Sequence, residues 1–150
     1  MQRYAGPGGY ADCYVAETDR AVSHAEFVEG FYTTALFKIE RMILKLLASR
    51  PSTDAQAAQL ADGTLASFAA WSVESRAPNQ LLLADFTGRT RSWLMVAPPD
   101  AGSSGTRLYF GSAVVRARKR GPGLAFAALL GFHKLYSRLL LGAARSRLSR

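Results

Sequence analysis

The spacing of hydrophobic residues predicts that the chain begins with a short strand and continues as helices. Residues 11–17 form a brief run typical of a β-strand. Ser23 followed by Glu26 is a capping-box signature, which marks the start of a first helix. That helix carries Phe27 and Phe31 on one side. A second helix has aliphatic residues at helical spacing and cationic residues on its other face. The aliphatic residues are Leu36, Ile39, Ile43 and Leu46, and the cationic residues are Lys38, Arg41 and Lys45.

Turn-forming residues divide the middle of the chain into short elements. Pro51 ends the second helix, and Thr53 with Gln56 indicates a brief third helix that Gly63 closes. From residue 66 onward the pattern becomes extended, with turn residues between successive segments. Short links of this kind join antiparallel neighbours. The predicted strands are residues 67–76, 80–86, 90–97 and 106–115.

A long amphipathic helix is predicted from Pro122 to about Arg147. A single sheet has one apolar face to cover, and this helix is the element that can cover it. The predicted fold class is therefore α+β, with a curved antiparallel β-sheet wrapped around the C-terminal helix and two to three N-terminal helices. The chain is predicted to be a single domain over residues 1–150, of which residues 1–10 form a flexible tail. The apolar arc of the helix comprises Phe126, Leu129, Phe132, Tyr136, Leu139, Leu140 and Ala143.

Two stretches of the chain are similar to a known superfamily. One is the closing segment LLGFHKLYSRLL, which starts at Leu129, and the other runs from Gly88 to Pro98 and is followed by Gly105-Thr-Arg-Leu. With the order of elements, they resemble the START-like (SRPBCC) or helix-grip superfamily, and within it the uncharacterised bacterial proteins. That superfamily also includes START lipid-transfer domains, birch-type pollen allergens and polyketide cyclases. The resemblance covers most of residues 11–147 and implies a ligand cavity between sheet and C-terminal helix. The superfamily usually has six strands after its helix pair, whereas this sequence predicts four.

The turn at Thr87-Gly88 predicts which strand residues face that cavity. A two-residue turn places alternate residues of the flanking strands on one face, and the opposite face carries Arg89 and Arg91. We interpret the first face as inward, which gives a mostly apolar cavity one polar end. The predicted ligand-binding residues are Trp71, Leu81, Leu83, Asp85, Thr90, Ser92, Leu94, Val96, Leu108, Phe110 and Ser112 from the strands, and Leu129, Phe132, His133 and Tyr136 from the last helix.

Two titratable residues are candidates for proton transfer in the cavity. His133 lies within the apolar arc of the last helix, where an imidazole is either an acid or base near neutral pH or a core residue with one hydrogen bond. Asp85 either faces the cavity or caps its own turn. Cys13 is predicted to be buried and His24 to be exposed. One cysteine and two distant histidines match no metal-ligand spacing, so the sequence predicts no metal and no cofactor.

The net charge of +8 is concentrated at the C-terminal end of the chain. Residues 111–150 contain nine basic side chains and no acidic one. These basic residues, beside Leu130 and Leu141 that are predicted to be exposed, have the arrangement of a surface that binds an anionic membrane. The simpler interpretation is that they form a solvated basic face without a partner. Nucleic acid is a disfavoured partner because no aromatic strip interleaves with the charges. The predicted anionic-surface residues are Arg116, Arg118, Lys119, Arg120, Lys134 and Arg138.

These features together predict a ligand-binding protein. The favoured function is binding of a small hydrophobic or lipid-like ligand in the cavity. The protein is predicted to be cytoplasmic. In the interpretation in which the basic residues bind an anionic surface, it also contacts the inner face of the membrane peripherally. A cyclase- or isomerase-like enzyme that uses Asp85 or His133 in the same cavity is the alternative. Interaction with nucleic acid or protein through the basic surface is a third. The sequence leaves ligand identity and oligomeric state open.

Overall fold

A strand, three helices, five strands and a long helix follow one another along the described chain. The computed structural model describes residues 4, 9–100, 104–115 and 124–149, including side chains except those of residues 47–48 and 124–133. Most of the predicted N-terminal tail therefore lies outside the described residues. The elements are β1 (Tyr10–Thr18), α1 (His24–Tyr32), α2 (Ala35–Ala48), α3 (Asp54–Asp62), β2 (Ser67–Phe68), β3 (Trp71–Ala77), β4 (Gln80–Asp85), β5 (Thr90–Ala97), β6 (Thr106–Val114) and α4 (Leu124–Leu148).

Side-chain capping fixes where α1 and α3 begin. The Ser23 hydroxyl accepts from the Glu26 N–H at 3.2 Å, and the Glu26 carboxylate accepts from the Ser23 N–H at 2.8 Å. Thr53 and Gln56 exchange the same pair of bonds at 3.2 and 2.9 Å. Each box satisfies two backbone donors that the first helical turn leaves unpaired. Gly63 ends α3 with a φ of 92°, in the left-handed region. Both predicted capping boxes are confirmed.

The strands form one open, curved antiparallel sheet in the order β1-β6-β5-β4-β3-β2. The predicted α+β class is confirmed, but the predicted strand 67–76 is wrong as a single element. It is a tight hairpin of β2 and β3, in which Phe68 pairs with Trp71. Ala69 reverses the chain there with a φ of 52°. The sequence does not signal this turn, because neither Ala69 nor Ala70 is a residue type that favours a reversal.

The register between β4 and β5 is the one that the Thr87-Gly88 turn predicts. Leu81 pairs with Leu94 and Leu83 with Ser92 across the two strands. On the next strand Phe110 pairs with Leu94, which continues the same face onto β6. This face is buried beneath the helices, so the prediction of which side of the sheet is inward is confirmed.

Helix α4 packs against β1, β6 and α1, but its rotation differs from the prediction. Leu140 is buried as predicted, whereas Leu139 is 54% exposed. Leu141, which was expected to be exposed, is 3% exposed and belongs to the core. Apolar residues occupy positions 139, 140 and 141 in succession, so the sequence pattern does not fix the side that faces the sheet.

Helix α2 is amphipathic as predicted, but its burial is the reverse of the usual arrangement. Ile39 and Ile43 are about half exposed, whereas Arg41 is buried. The Arg41 guanidinium donates to the Ser52 carbonyl at 2.7 Å and to Asp54 at 2.5 Å. It also lies 5.7 Å from the centre of the Phe68 ring. These bonds attach the cationic side of α2 to the start of α3, and this leaves its aliphatic side facing outward.

Candidate functional site

A cavity of about 170 Å³ lies between the sheet and helices α1, α2 and α4. Its wall is mostly aromatic and aliphatic, and the polar groups in it come from both the strands and the helices. Ligand sites commonly combine an apolar wall with a few convergent polar groups. The lining residues are Phe31, Tyr32, Phe37, Glu40, Trp71, Thr90, Arg91, Ser92, Phe110, Ser112, Tyr136, Ser137 and Leu140.

Part of the predicted ligand-binding set lines this cavity. The residues that do so are Trp71, Thr90, Ser92, Phe110, Ser112 and Tyr136. Four other predicted residues are 0–1% exposed and fill the hydrophobic core instead; they are Leu81, Leu83, Leu94 and Leu108. Val96 is partly buried against that core. The side chains of Leu129, Phe132 and His133 lie outside the described residues. The cavity therefore occupies one part of the inward face.

Asp85 is not among the lining residues, because its carboxylate caps the β4–β5 turn. It accepts from the backbone N–H of Arg89 at 2.8 Å, from that of Thr90 at 2.9 Å, and from the Thr87 hydroxyl. Burial acts to raise the pKa of Asp85, but these hydrogen bonds outweigh it and hold the pKa below its ordinary value of 3.8. The turn-capping interpretation of Asp85 thus matches the geometry.

Two residues that line the cavity each carry a buried polar atom with no hydrogen-bond partner within the part of the chain that the structure describes. These atoms are Oγ of Ser137 on α4 and Nε1 of Trp71 on β3. Ser137 is 1% exposed. A buried polar group without a partner costs roughly 1–3 kcal/mol relative to one that is satisfied. These two atoms are therefore the groups of the wall that gain most from a polar ligand.

Other polar groups of the wall are already paired. The hydroxyls of Tyr32 and Ser92 lie 3.2 Å apart and are hydrogen-bonded. The Ser112 hydroxyl donates to Asp12 on β1, which also accepts from Tyr10 at 3.0 Å and from Tyr14 at 2.9 Å. Burial and the bond to Asp12 raise the pKa of Tyr14 to about 12. The Tyr14 hydroxyl therefore stays protonated, as a hydrogen-bond donor to Asp12, well above neutral pH.

Glu40 is the acidic residue of the cavity wall, and its carboxylate accepts from the Tyr136 hydroxyl. Burial raises the pKa of Glu40 above its ordinary value of 4.5, and the bond from Tyr136 opposes that rise only in part. Sequence reasoning missed Glu40 because charged residues on a helix usually face solvent. The available signal was its spacing, since Glu40 is four residues after Leu36 and three before Ile43.

We expect Glu40→Gln to change how stability depends on pH. A carboxyl group whose pKa is raised on folding stabilises the protein below its unfolded pKa, and this contribution is lost as pH rises through the folded pKa. Glutamine keeps an acceptor for Tyr136 and cannot ionise. The variant should therefore gain stability relative to the wild type as pH rises from about 4 towards neutrality.

Urea unfolding of both proteins at matched pH values measures this difference. Burial lowers the pKa of His24. The contribution of His24 to stability is therefore lost as pH falls, whereas that of Glu40 is lost as pH rises. Because both proteins contain His24, comparison at each pH cancels its effect. A stability difference that does not change with pH would contradict the assignment to Glu40.

Two sequence predictions about single residues are wrong. Cys13 is exposed, because it lies on the outer face of β1 opposite Gly111. His24 is buried in the first turn of α1, and its Nε2 has no partner among the described residues. No cluster of metal-binding side chains occurs among the described residues.

The predicted anionic-surface residues are described only in part. Arg116, Arg118, Lys119 and Arg120 lie outside the described residues. Lys134 and Arg138 are exposed on α4 and lie 5.3 and 5.6 Å from the ring centres of Tyr10 and Tyr14. No helix in the described part of the chain has both the length and the hydropathy of a membrane-spanning segment.

Comparison with solved structures gives remote likenesses, which include an oxygenase and an uncharacterized protein. No protein-family model matches the chain, and no curated protein matches it in sequence. The quaternary ammonium Rieske monooxygenase CntA, solved in complex with its substrate L-carnitine, is 12% identical with a TM-score of 0.40. That match covers 95% of this chain and 40% of the oxygenase. A putative uncharacterized protein from Rhizobium leguminosarum is 11% identical with a TM-score of 0.30, over 90% of this chain and 97% of that protein.

The sheet and its C-terminal helix define a helix-grip-like α+β fold that encloses a cavity.

Proposed function

We propose that this protein binds a small, mostly apolar ligand that carries one polar group, in the cavity between the sheet, α1, α2 and α4. The observation that carries the proposal is the pair of buried, unpartnered atoms in the wall, Ser137 Oγ and Trp71 Nε1. A ligand that offers a polar oxygen to either atom would satisfy a group that the fold leaves unsatisfied. Such a gain supports binding more than apolar contact alone does.

The size of the cavity limits the ligand to about one ring. Its volume of about 170 Å³ is close to that of the roughly 150 Å³ engineered cavity that holds benzene. Sites for drug-sized molecules measure roughly 300–1,000 Å³. A lipid with its acyl chains would not fit inside. The class of ligand is therefore restricted from lipid-like molecules in general to a small ring or a short chain.

The chemistry of the wall specifies the polar group. The Trp71 indole N–H is a donor only, so it requires an acceptor oxygen on the ligand. The Ser137 hydroxyl can donate or accept. The rings of Phe31 and Phe110, whose centres lie 4.8 Å apart, supply aromatic contact for the rest of the molecule. Phenols and small cyclic ketones combine these properties.

Titration with phenol and with benzene tests the proposal, with binding followed by calorimetry. We expect both compounds to bind and phenol to bind about two- to tenfold more tightly, which corresponds to one net hydrogen bond. Ser137→Ala should reduce that preference. Ser146→Ala is the matched control, because Ser146 is an exposed serine on the same helix. Absence of saturable binding of either compound would refute the proposal, and equal effects of the two substitutions would refute the role of Ser137.

A proton-transfer enzyme is the second candidate, and the position of Glu40 favours it. Its carboxyl group lines the cavity with a raised pKa, beside Tyr136. A general acid or base works best when its pKa lies near the operating pH. Deuterium exchange at the α-carbon of cyclohexanone, followed by NMR, tests this activity. We expect the wild type to accelerate exchange and Glu40→Gln to abolish the acceleration while retaining ketone binding. Equal exchange rates in the two proteins would exclude this candidate.

We also propose that the chain is a remote member of the START-like superfamily that its closing helix and hairpin strands resemble. Support comes from the order of the elements and from the packing of α4 against β1 and β6 of the sheet. Because the predicted strand 67–76 is the β2–β3 hairpin, five strands follow α3, which is one more than predicted and one fewer than the six usual in the superfamily.

A further inference from the structure

Helices α2 and α4 together expose an unusually large aliphatic surface. Ile39, Met42, Ile43 and Leu46 on α2 and Leu135 and Leu139 on α4 are 48–72% exposed. A groove of about 430 Å³ runs between the two helices and has an almost wholly apolar lining. Isolated exposed leucines are ordinary, but a continuous patch of this kind marks an interaction surface. We refer to these six residues, with Leu36 at the side of the groove, as the aliphatic face.

Cationic side chains flank the aliphatic face on both sides. Lys38 and Lys45 lie on the same side of α2, because they are seven residues apart, and they border Met42. Lys134 and Arg138, which are four residues apart, border Leu135 on α4. All four cationic residues are exposed. Lys38 forms an ion pair with Asp54 at 2.6 Å.

The aliphatic face shows little negative charge in its described part. Among the residues that line the groove, the acidic one is Glu40. Its carboxylate accepts from Tyr136 at the boundary with the cavity, and its pKa is raised by burial. Asp54 offsets the charge of Lys38, so the net positive charge of the margins comes from Lys45 on α2 and from Lys134 and Arg138 on α4. The arrangement is an apolar centre between two cationic margins, which is typical of proteins that lie in the interface of an anionic bilayer.

We propose that the aliphatic face docks this protein onto an anionic phospholipid bilayer. The aliphatic side chains would enter the boundary between head groups and acyl chains, and the cationic margins would lie against the phosphates. Charge favours this partner over a second copy of the chain, since symmetric pairing would bring cationic margins together on a protein of net charge +8. The face also lacks exposed tryptophan or tyrosine, the residues that concentrate affinity at protein interfaces, among its seven members.

Docking would place the cavity beside the membrane. Glu40 and Tyr136 line both the groove and the cavity, so this pair separates the two spaces. A small apolar molecule dissolved in the bilayer would meet this boundary first. The docking proposal itself depends on residues of the aliphatic face and its margins, and it does not require that the cavity binds a ligand.

Sedimentation with phosphatidylcholine vesicles, prepared with and without phosphatidylglycerol, tests the proposal. We expect binding to vesicles that contain phosphatidylglycerol, and at least about tenfold weaker partitioning for Ile39→Ser combined with Leu139→Ser. Val15→Ser is the matched control, because Val15 is 58% exposed on the outer face of β1. It should bind vesicles as the wild type does. Since all three residues are exposed, the substitutions should preserve the fold, which thermal unfolding checks.

A charge variant separates the two components of docking. Lys134→Gln combined with Arg138→Gln should weaken binding to anionic vesicles about thirtyfold. The role of the aliphatic face would be overturned if this charge variant lost binding while the double variant Ile39→Ser, Leu139→Ser bound as the wild type does. The attraction to the vesicle would then be purely electrostatic.

Two further results would overturn the proposal. One is failure of the wild type to bind either kind of vesicle. The other is a concentration-dependent dimer, seen by analytical ultracentrifugation, that Ile39→Ser with Leu139→Ser dissociates, because the face would then bind a second copy. Phenol binding measured without vesicles reports on the cavity alone, so failure of docking and failure of the proposed ligand site are distinguishable.

Discussion

Replacing Gly105 by alanine is expected to lower the free energy of unfolding by about 3 kcal/mol or more. Gly105 precedes β6 with a φ of 112°, a conformation that side chains with a Cβ rarely adopt. A Cβ at this position would lie 1.7 Å from the carbonyl oxygen of Thr18. That oxygen belongs to the backbone of β1 and cannot rotate away. The end of β1 would have to separate from β6.

This separation would disturb more than one contact. Thr18 pairs with Thr106 at the end of the two strands, and its hydroxyl donates to the Thr106 carbonyl at 3.2 Å. The Thr106 hydroxyl accepts from the Val22 N–H at 2.8 Å, which fixes the entry into α1. Strand β6 also carries Phe110 of the cavity wall. We therefore expect the loss of stability to be accompanied by weaker ligand binding.

Gly88→Ala is the matched control for this prediction. Gly88 also has a positive φ, 69°, but a Cβ there would meet nothing within 4 Å. Gly88→Ala should lower the free energy of unfolding only by the cost of holding alanine at a positive φ, about 1 kcal/mol. Urea unfolding of the wild type and both variants gives the comparison. Equal losses in the two variants would contradict the claim that close approach to Thr18 makes Gly105 necessary.

Local signals in the sequence predict most of the fold. The capping boxes at Ser23 and Thr53 mark helix starts because they satisfy backbone donors within a few residues. The turn at Thr87-Gly88 sets the β4–β5 register, and alternation then assigns one face of three strands. None of these inferences requires knowledge of distant contacts. The Ala69 reversal was missed because it has no such local signal.

The rotation of the helices could not be predicted in the same way. The aliphatic side of α2 faces outward because buried Arg41 attaches the opposite side to Ser52 and Asp54. The affinity of a guanidinium for a carboxylate and a carbonyl thirteen or fewer residues away outweighs the usual preference to bury apolar residues. For α4, apolar residues around much of its circumference leave several rotations equally acceptable.

The candidate site combines residues that local sequence signals place with residues whose position depends on helix rotation. Its strand residues, including Ser92, Phe110 and Ser112, were predicted from the register. Of its helical residues Tyr136 was predicted, whereas Phe31, Glu40 and Ser137 were missed because their inclusion depends on helix rotation. The predicted lining set also included residues that belong to the core. Aromatic residues of α1 pack with Leu81 and Leu83 in the core, so only part of the inward face remains open.

Phe31→Ala is expected to lower the free energy of unfolding by about 3–5 kcal/mol and to enlarge the cavity. Phe31 is 1% exposed, and its ring centre lies 4.8 Å from that of Phe110 and 5.2 Å from that of Tyr32. Its side chain thus belongs to the core and to the cavity wall at once. The loss is a large part of the roughly 5–15 kcal/mol that stabilises a typical domain.

Benzene should partly reverse this loss, because a ligand that binds only the folded state stabilises it. We expect benzene to raise the melting temperature of Phe31→Ala more than that of the wild type, since the vacated space joins a cavity already close to the volume of the ring. Phe86→Ala is the control: Phe86 is 56% exposed, and its removal should cost about 0.5 kcal/mol with no response to benzene. A melting temperature of Phe31→Ala that benzene does not raise would mean that the wall collapses into the space, so the cavity would not be a preformed site for a ring.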